Sequence, residues 1–250
     1  MPVNLKSMSS VDSRSRSHRL LPTRCLLCGA CGDAPRDLCV ACAGDLVRNR
    51  HACARCALPL SMDAPLCGEC LARPPPFDAA FAPFEYAHPL DLLLTGLKFG
   101  RSLAAGRVLA DLWAHAIRNA LADGSVAALP DVLVPIPLHR DRLRERGYNQ
   151  ALELARALGR DLGVPVVTNL LRRDRPTPAQ TGLDAAARRR SLRGAFSFVP
   201  IAGKPLPTRI ALVDDVMTTG ATIRECARVL RKSGAARIEA WALARAPRLR

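Results

Sequence analysis

The sequence predicts an α/β fold in which a parallel sheet is flanked by helices and is preceded by a small cysteine-rich module. Short apolar runs separated by helical patterns indicate the sheet, because strands covered on both faces lack polar alternation. The clearest run is 210–213, and apolar residues recur at helical spacing soon after it, at Ile223, Ala227 and Leu230. Four Cys-x2-Cys pairs between residues 25 and 70 indicate the module.

The cysteine pairs begin 14 residues apart, at 25, 39, 53 and 67, so a 28-residue unit occurs twice. Two turns with two thiolates each supply the four ligands of a tetrahedral zinc ion. We therefore predict two closed structural zinc sites, one per repeat, although an interleaved pairing of first with third and second with fourth pairs is an alternative. Disulfides are disfavoured in a cytoplasmic protein. The expected ligands are Cys25, Cys28, Cys39, Cys42, Cys53, Cys56, Cys67 and Cys70.

Composition divides the chain into four segments. Residues 1–21 are rich in Ser and Arg and are expected to form a disordered basic tail. The zinc-binding module spans 22–73, a stiff Pro-rich linker spans 74–78, and the α/β domain spans 79–250. No apolar run approaches the roughly 20 residues that span a bilayer, and the N-terminus lacks the apolar core of a signal peptide. We expect a cytoplasmic protein without membrane insertion.

Within the α/β domain, hydrophobic patterns define the order of elements. The expected strands are 79–87, 131–137, 210–213 and 237–243, and the expected helices are 89–99, 102–122, 149–162 and one that follows residue 222 and ends at Gly234. Alternating strands and helices of this kind favour a parallel sheet.

A candidate phosphate-ester site follows the apolar run 210–213. Asp214 and Asp215 come directly after it, and a small-residue turn leads into the next helix. Backbone N–H groups at such a turn, helped by threonine hydroxyls, can surround a phosphate. Adjacent strand residues point to opposite faces, so the two carboxylates have different tasks, such as accepting hydrogen bonds from a sugar diol or lying near magnesium. The alternative is a plain strand–turn–helix corner. The turn residues are Thr218, Thr219, Gly220, Ala221 and Thr222.

The positive charge indicates anionic partners. Thirty-seven Lys and Arg residues oppose 22 Asp and Glu, which gives a net charge of +15. Nearly all are arginine, which favours phosphate or nucleic acid, although a solvated basic surface is an equal alternative. The densest segment, 170–193, is expected to be a mobile loop that closes over a polyanion or follows a nucleic-acid backbone. Lys98 either completes a helix macrodipole or faces a phosphate, and Arg146 lies in a charged, flexible loop.

Particular motifs resemble known families. The run DDVMTTGAT resembles the phosphoribosyl pyrophosphate (PRPP) signature of type I phosphoribosyltransferases. Together with the cysteine pairs, the ordered motifs LKFG, VPIPLH, RERGYNQ, TPAQTGL, RRRSLRGAF and VDDVMTTGAT resemble the ComF, or GntX-like, family, described as a double zinc ribbon plus a phosphoribosyltransferase domain. This resemblance covers about residues 22–246.

The resemblance implies a phosphoribosyltransferase-like sheet with defined ligand contacts. Asp214 and Asp215 would hold the ribose hydroxyls as the catalytic pair, and residues 218–222 would hold the 5-phosphate. Lys98, the 135–150 loop with Arg146, and the arginine-rich segment would meet pyrophosphate with magnesium. The implied functional context is DNA uptake, with single-stranded DNA, a DNA-uptake helicase or other competence proteins as partners. The alternative is a non-enzymatic protein that binds single-stranded DNA and has a sensory or vestigial nucleotide site.

Overall fold

A computed structural model describes residues 23–33, 36–100, 102–176, 190–203 and 205–248. The chain divides into two compact units, residues 1–44 and 45–250, which we describe separately. In the described part of the chain, none of the helices combines the length and the apolarity needed to cross a membrane.

The first unit is built around one cysteine cluster. A tight turn forms where the N–H groups of Cys25 and Gly29 donate to the carbonyls of Ala30 and Cys25, at 2.8 and 2.9 Å. A short helix, α1 (Val40–Gly44), begins directly after Cys39, the first cysteine of the second pair. The main buried side chain is Leu38, which is 1% exposed. With so little apolar material, this unit depends on its cysteines for a fixed structure.

The second unit contains the remaining elements. Its helices are α2 (Gly68–Ala72), α3 (Leu90–Lys98), α4 (Leu103–Ala122), α5 (Arg140–Arg146), α6 (Gln150–Leu162) and α7 (Ala221–Lys232). Its strands are β1 (Ala79–Phe81), β2 (Phe84–Glu85), β3 (Val132–Pro135), β4 (Leu171–Arg173), β5 (Phe196–Phe198), β6 (Arg209–Met217) and β7 (Arg237–Arg245).

The main sheet is parallel, with the order β1-β7-β6-β3. Strand β2 continues β1 along the same side of β7, since Ala79 pairs with Glu239 and Phe84 pairs with Ala244 in one register. Strands β6 and β7 are central, and both carry apolar residues on both faces because helices cover the sheet. All carboxyl ends of the strands therefore meet at one edge, which is where ligands bind in open α/β sheets.

Helices pack against the strands of the sheet and shield them from solvent. Helix α6 packs on β3 and β6, and α7 packs on β5, β6 and β7. Helix α4 packs against both α3 and α6, and it buries Trp113 and Ile117 completely. The predicted α/β class with a parallel sheet flanked by helices is confirmed.

The structure differs from the expected elements in four places. The expected strand 79–87 is interrupted at residues 82–83, so β1 and β2 replace it. Strand β6 runs to Met217, which pairs with Arg245, so the acidic pair lies inside the strand. Helix α5 occupies part of the expected loop because His139 caps its start, accepting from the Asp141 N–H at 3.3 Å, and Gly147 ends it in a left-handed conformation. Strand β4, at the start of the charged segment 170–193, pairs antiparallel with β5, which follows that segment. The centre of that segment, 177–189, lies outside the described residues.

The second cysteine cluster belongs to the same compact unit as the sheet. Its four cysteines share one buried core with sheet residues such as Leu212 and Ala240. The sequence-based domain boundary at 74–78 stays a prediction.

Candidate functional site

The acidic pair lies near the carboxyl end of β6. Asp215 is 8% exposed, and one of its carboxylate oxygens, Oδ2, lies 2.8 Å from the Nζ atom of Lys98. Lys98 is the last residue of α3, so helix α3 brings a cation to the strand end. The Asp214 carboxylate accepts a hydrogen bond from the Asp215 N–H at 2.9 Å. The sequence offered two interpretations of Lys98, and the structure places it against a carboxylate.

Burial and charge control the protonation of this trio. Burial raises the pKa of Asp214, and the neighbouring Asp215 charge raises it further, to about 8. For Lys98, burial acts to lower the pKa, but the charge and hydrogen bond of Asp215 outweigh it and the pKa is raised. Asp214 therefore takes up a proton more readily near neutral pH than an ordinary carboxyl group does, while Lys98 stays charged.

The turn after β6 leads into a helix N-terminus that offers hydrogen-bond donors. Gly220 adopts a left-handed backbone with φ of 71°, which any other residue adopts only at a cost. Thr219 accepts from the Ala221 N–H through its hydroxyl at 3.3 Å. Among the described residues, the N–H groups of Thr222 and Ile223 have no hydrogen-bond partner. A twelve-residue helix with open N–H groups suits an anion.

The loop after β3 approaches the end of α3. The Tyr148 hydroxyl donates to the Leu97 carbonyl, and the Arg146 guanidinium lies 5.6 Å from the centre of the Phe99 ring. Arg146 also donates to Gln150 Oε1 at 2.9 Å. The two cations predicted from the sequence, Lys98 and Arg146, therefore lie in one region, because Arg146 contacts Phe99, the residue that follows Lys98.

A basic cleft of about 440 Å³ lies beside this loop. It is lined by Pro137, Leu138, His139, Arg140, Arg172, Arg173 and Asp174. Asp174 is paired with Arg172 at 2.5 Å, so the lining retains a net positive charge. The cleft can accept an anionic ligand.

The eight module cysteines form two clusters in sequence order, one per repeat. The first contains Cys25, Cys28, Cys39 and Cys42, and the second contains Cys53, Cys56, Cys67 and Cys70. In each cluster all four Sγ atoms lie within 4.8 Å of one another, and one Sγ–Sγ distance in each is 3.7 Å. Four sulfurs about 2.3 Å from a central zinc ion are about 3.8 Å apart, whereas a disulfide requires about 2.05 Å. The clusters fit zinc, and the predicted pairing within repeats is confirmed.

Thiol protonation agrees with metal binding. Burial raises the pKa of Cys53, but backbone N–H groups led by that of Cys67 outweigh burial and lower it to about 7. Burial raises the pKa of Cys56 and Cys70 in the same cluster. A metal-free cluster therefore holds few thiolates, and metal binding must displace protons from the others.

One residue at the site was not found from the sequence. Arg245, the last residue of β7, is 6% exposed, and its Nη1 atom donates to the carbonyls of Met217 and Thr218 next to the Thr/Gly turn. The sequence did contain one indication of this role, because Arg245 directly continues a buried apolar strand. Such a residue must bury its charge against acceptors or lie outside the sheet.

Comparisons with known proteins agree with these features. Residues 17–71 match the family model described as "Double zinc ribbon domain". The chain is 37% identical over 224 residues to "Competence protein F" of Haemophilus influenzae, covering 89% of this chain and 97% of that protein. It is 34% identical over 209 residues to "DNA utilization protein YhgH" of Escherichia coli K12, covering 83% and 90%.

A solved structure is also similar, glutamine phosphoribosylpyrophosphate amidotransferase from B. subtilis complexed with ADP and GMP. The TM-score is 0.32 at 21% identity, and the match covers 55% of this chain and 25% of the amidotransferase chain.

Proposed function

This chain belongs to the ComF family of competence proteins, and on that premise we propose that it binds PRPP with magnesium at the carboxyl edge of its sheet. One observation carries the proposal. A largely buried acidic pair with its own lysine lies in β6 directly before a helix N-terminus, where the Thr222 and Ile223 N–H groups have no partner within the described part of the chain. A pentose phosphate carries a diol that can bind the acidic pair and a phosphate that can bind the helix N-terminus.

We assign each residue one contact in this complex. The N–H groups and hydroxyls of residues 218–222 hold the 5-phosphate, because they offer donors without a competing carboxylate. Asp214 and Asp215 hold the ribose hydroxyls and orient the anomeric carbon. Lys98 and Arg146 attract the pyrophosphate. In a phosphoribosyl transfer, pyrophosphate departs as oxocarbenium-like charge develops at that carbon, and the buried Asp215 carboxylate stabilises this charge.

Magnesium enters this scheme with the substrate. Lys98 already neutralises Asp215, and the raised pKa of Asp214 favours its protonated form, so without PRPP the acidic pair offers little negative charge to a bare hard cation. Magnesium keeps several waters and binds readily to substrate phosphates. When bound there, it supplies charge neutralisation on the leaving pyrophosphate. Magnesium alone is expected to show no calorimetric binding.

Calorimetric titration of the zinc-loaded protein with PRPP and magnesium tests the proposal. The wild type should bind, and Thr219→Val should weaken binding at least tenfold because it removes the hydroxyl that orders the turn. Thr208→Val, an exposed threonine at the other end of β6, is the matched control and should bind as the wild type does. Absence of binding to folded wild type would refute the proposal. If binding is found, pyrophosphate release in an acceptor screen tests for transfer.

A second candidate function is binding of single-stranded DNA in the cytoplasm, together with other competence proteins such as a DNA-uptake helicase. The basic cleft formed by Arg140, Arg172 and Arg173 favours it, as do the relatives' names. Binding by phosphate contacts weakens steeply with salt. Replacing Arg140 and Arg172 with Gln should lower both the DNA affinity and the salt slope, and unchanged values would refute this role for the cleft. Arg188 and Arg189, also expected to bind DNA, lie outside the described residues.

A further inference from the structure

Arg245 joins the second cysteine cluster to the turn that follows β6. On one side its Nε atom donates to the carbonyl of Cys56 at 3.1 Å. On the other side its Nη1 atom donates to the Met217 carbonyl at 2.8 Å and to the Thr218 carbonyl. The side chain is 6% exposed, so its charge depends on these carbonyls rather than on water. One buried guanidinium therefore fixes two backbone segments relative to each other.

Glu69 makes a parallel connection. It lies in α2 between Cys67 and Cys70, and its carboxylate pairs with Arg224 Nη2 at 3.6 Å and with Arg248. Arg224 belongs to the start of α7, the helix whose open N–H groups face the proposed phosphate. The segment that carries the second cysteine cluster is thus connected to the turn through Arg245 and to α7 through Glu69.

A metal ion in the second cluster would help to fix the position of Cys56. Its Sγ atom lies 3.7 Å from that of Cys67, and the Cys53 Sγ atom accepts from the Cys67 N–H at 3.3 Å. A structural metal ion supplies much of the folding free energy of such modules. Backbone hydrogen bonds such as Cys53 N–H to Leu58 O and Ala57 N–H to Cys53 O also support the turn, so loss of metal is expected to loosen it rather than to unfold it. A loosened Cys56 carbonyl would bind Arg245 less firmly, and Arg245 would then hold the Met217 and Thr218 carbonyls less firmly.

We propose that metal binding at the second cysteine cluster and phosphate-ester binding at residues 218–222 are thermodynamically coupled, with Arg245 as the positioning residue. The proposal rests on the proposed function, because it concerns the same phosphate turn. Coupling between two sites is reciprocal, so the ligand must also hold the metal more tightly. Couplings of this kind commonly change affinity by about 5- to 150-fold.

Pulse alkylation with N-ethylmaleimide, followed by peptide mass spectrometry, measures how fast each cluster releases its metal. The zinc-loaded full chain is compared in magnesium alone and in magnesium with saturating PRPP. Alkylation of the second cluster should slow at least fivefold when PRPP is present. Cysteines of the first cluster, which belongs to the other compact unit, provide the reference rate and should be unchanged. Equal rates with and without PRPP, or equal slowing of both clusters, would overturn the coupling.

Two variants separate positioning from general stability. Arg245→Lys keeps the charge but loses the planar fork that reaches carbonyls on both sides. It should retain two zinc ions, weaken PRPP about tenfold and lose the ligand-dependent protection. Glu69→Gln, at a partly exposed side chain, should fold normally and lose part of the protection even if Arg245→Lys does not fold. Asp63→Asn, an exposed acidic residue between Cys56 and Cys67, is the control and should retain all of it.

The calorimetric titration separates the two possible failures. If PRPP saturates the wild type and the alkylation rates do not respond, the coupling is wrong and the proposed function stands. If Glu69→Gln keeps full protection, the Glu69 connection is wrong. If PRPP gives no binding at all, the proposed function fails and the coupling fails with it.

Discussion

Replacing Lys98 with Met tests whether the lysine at the end of α3 neutralises the acidic pair. The Lys98 Nζ and Asp215 Oδ2 atoms are 2.8 Å apart, and the two side chains are only 22% and 11% exposed. At an effective dielectric constant of 20, a charge pair at this distance attracts by about 6 kcal/mol, and desolvation of both partners offsets part of that. Removing one partner leaves a buried carboxylate, which commonly costs about 3–5 kcal/mol.

Protonation limits that cost. A carboxyl group with the ordinary pKa of about 3.9 needs about 4 kcal/mol to take up a proton at pH 7, since each pKa unit is worth about 1.4 kcal/mol. We therefore expect Lys98→Met to lower the free energy of unfolding by about 2–4 kcal/mol. Most of the loss should be recovered in the Lys98→Met/Asp215→Asn double variant, which leaves no uncompensated charge.

Urea titrations followed by tryptophan fluorescence provide the measurement, because both tryptophans, Trp113 and Trp241, lie in the second unit. Lys232→Met is the matched control, since Lys232 is also the last residue of a helix, α7, and is exposed. It should change stability by no more than about 0.5 kcal/mol. Equal losses in the Lys98 and Lys232 variants would reduce Lys98 to a helix-terminal charge and refute the reasoning.

Three further perturbations follow from the site. Gly220→Ala should cost about 1–2 kcal/mol in urea unfolding because of the left-handed backbone, since the added Cβ would meet only Met217 side-chain atoms, the nearest at 3.5 Å; no loss would mean that the turn relaxes freely. The folded-state pKa of Asp214, about 8, exceeds its ordinary value, so the protein takes up a proton on folding between about pH 4 and 8. Wild-type stability should then fall with rising pH, relative to Asp214→Asn, by up to about 1.4 kcal/mol per pH unit in that window; parallel curves would contradict this. Cys67→Ser should lower the zinc content from two ions to one per chain and lower the midpoint of tryptophan-detected unfolding, because Cys67 belongs to the core of the second unit; an unchanged midpoint would separate the second cluster from that core.

Local sequence patterns predicted many of the helices and strands. Asn149 was expected to begin a helix and does so as the N-cap of α6, and the left-handed Gly163 ends it. The unbroken apolar run 210–213 is fully buried and forms most of the first half of β6. These features depend on capping and burial, which nearby residues determine. The regular spacing of the cysteines predicted one site per repeat but left the interleaved pairing open, and only the structure shows that the adjacent pairs meet.

The parts that sequence did not reveal depend on contacts between distant segments. Lys98 and Asp215 are 117 positions apart, and nothing at either position indicates the other. Arg245 donates to the carbonyls of Cys56 and Thr218. The three residues are far apart in the sequence, so no local pattern indicates these contacts. Strands β4 and β5 are three residues each, too short for an alternating pattern to stand out in a charged segment.

A crystal structure of the zinc-loaded protein with PRPP and magnesium tests the central claim most directly. The account predicts the 5-phosphate against the N–H groups of residues 218–222, with the ribose diol facing Asp214 and Asp215. Density for the phosphate in the basic cleft lined by Arg140 and Arg172, with the turn after β6 empty at saturating ligand, would contradict it.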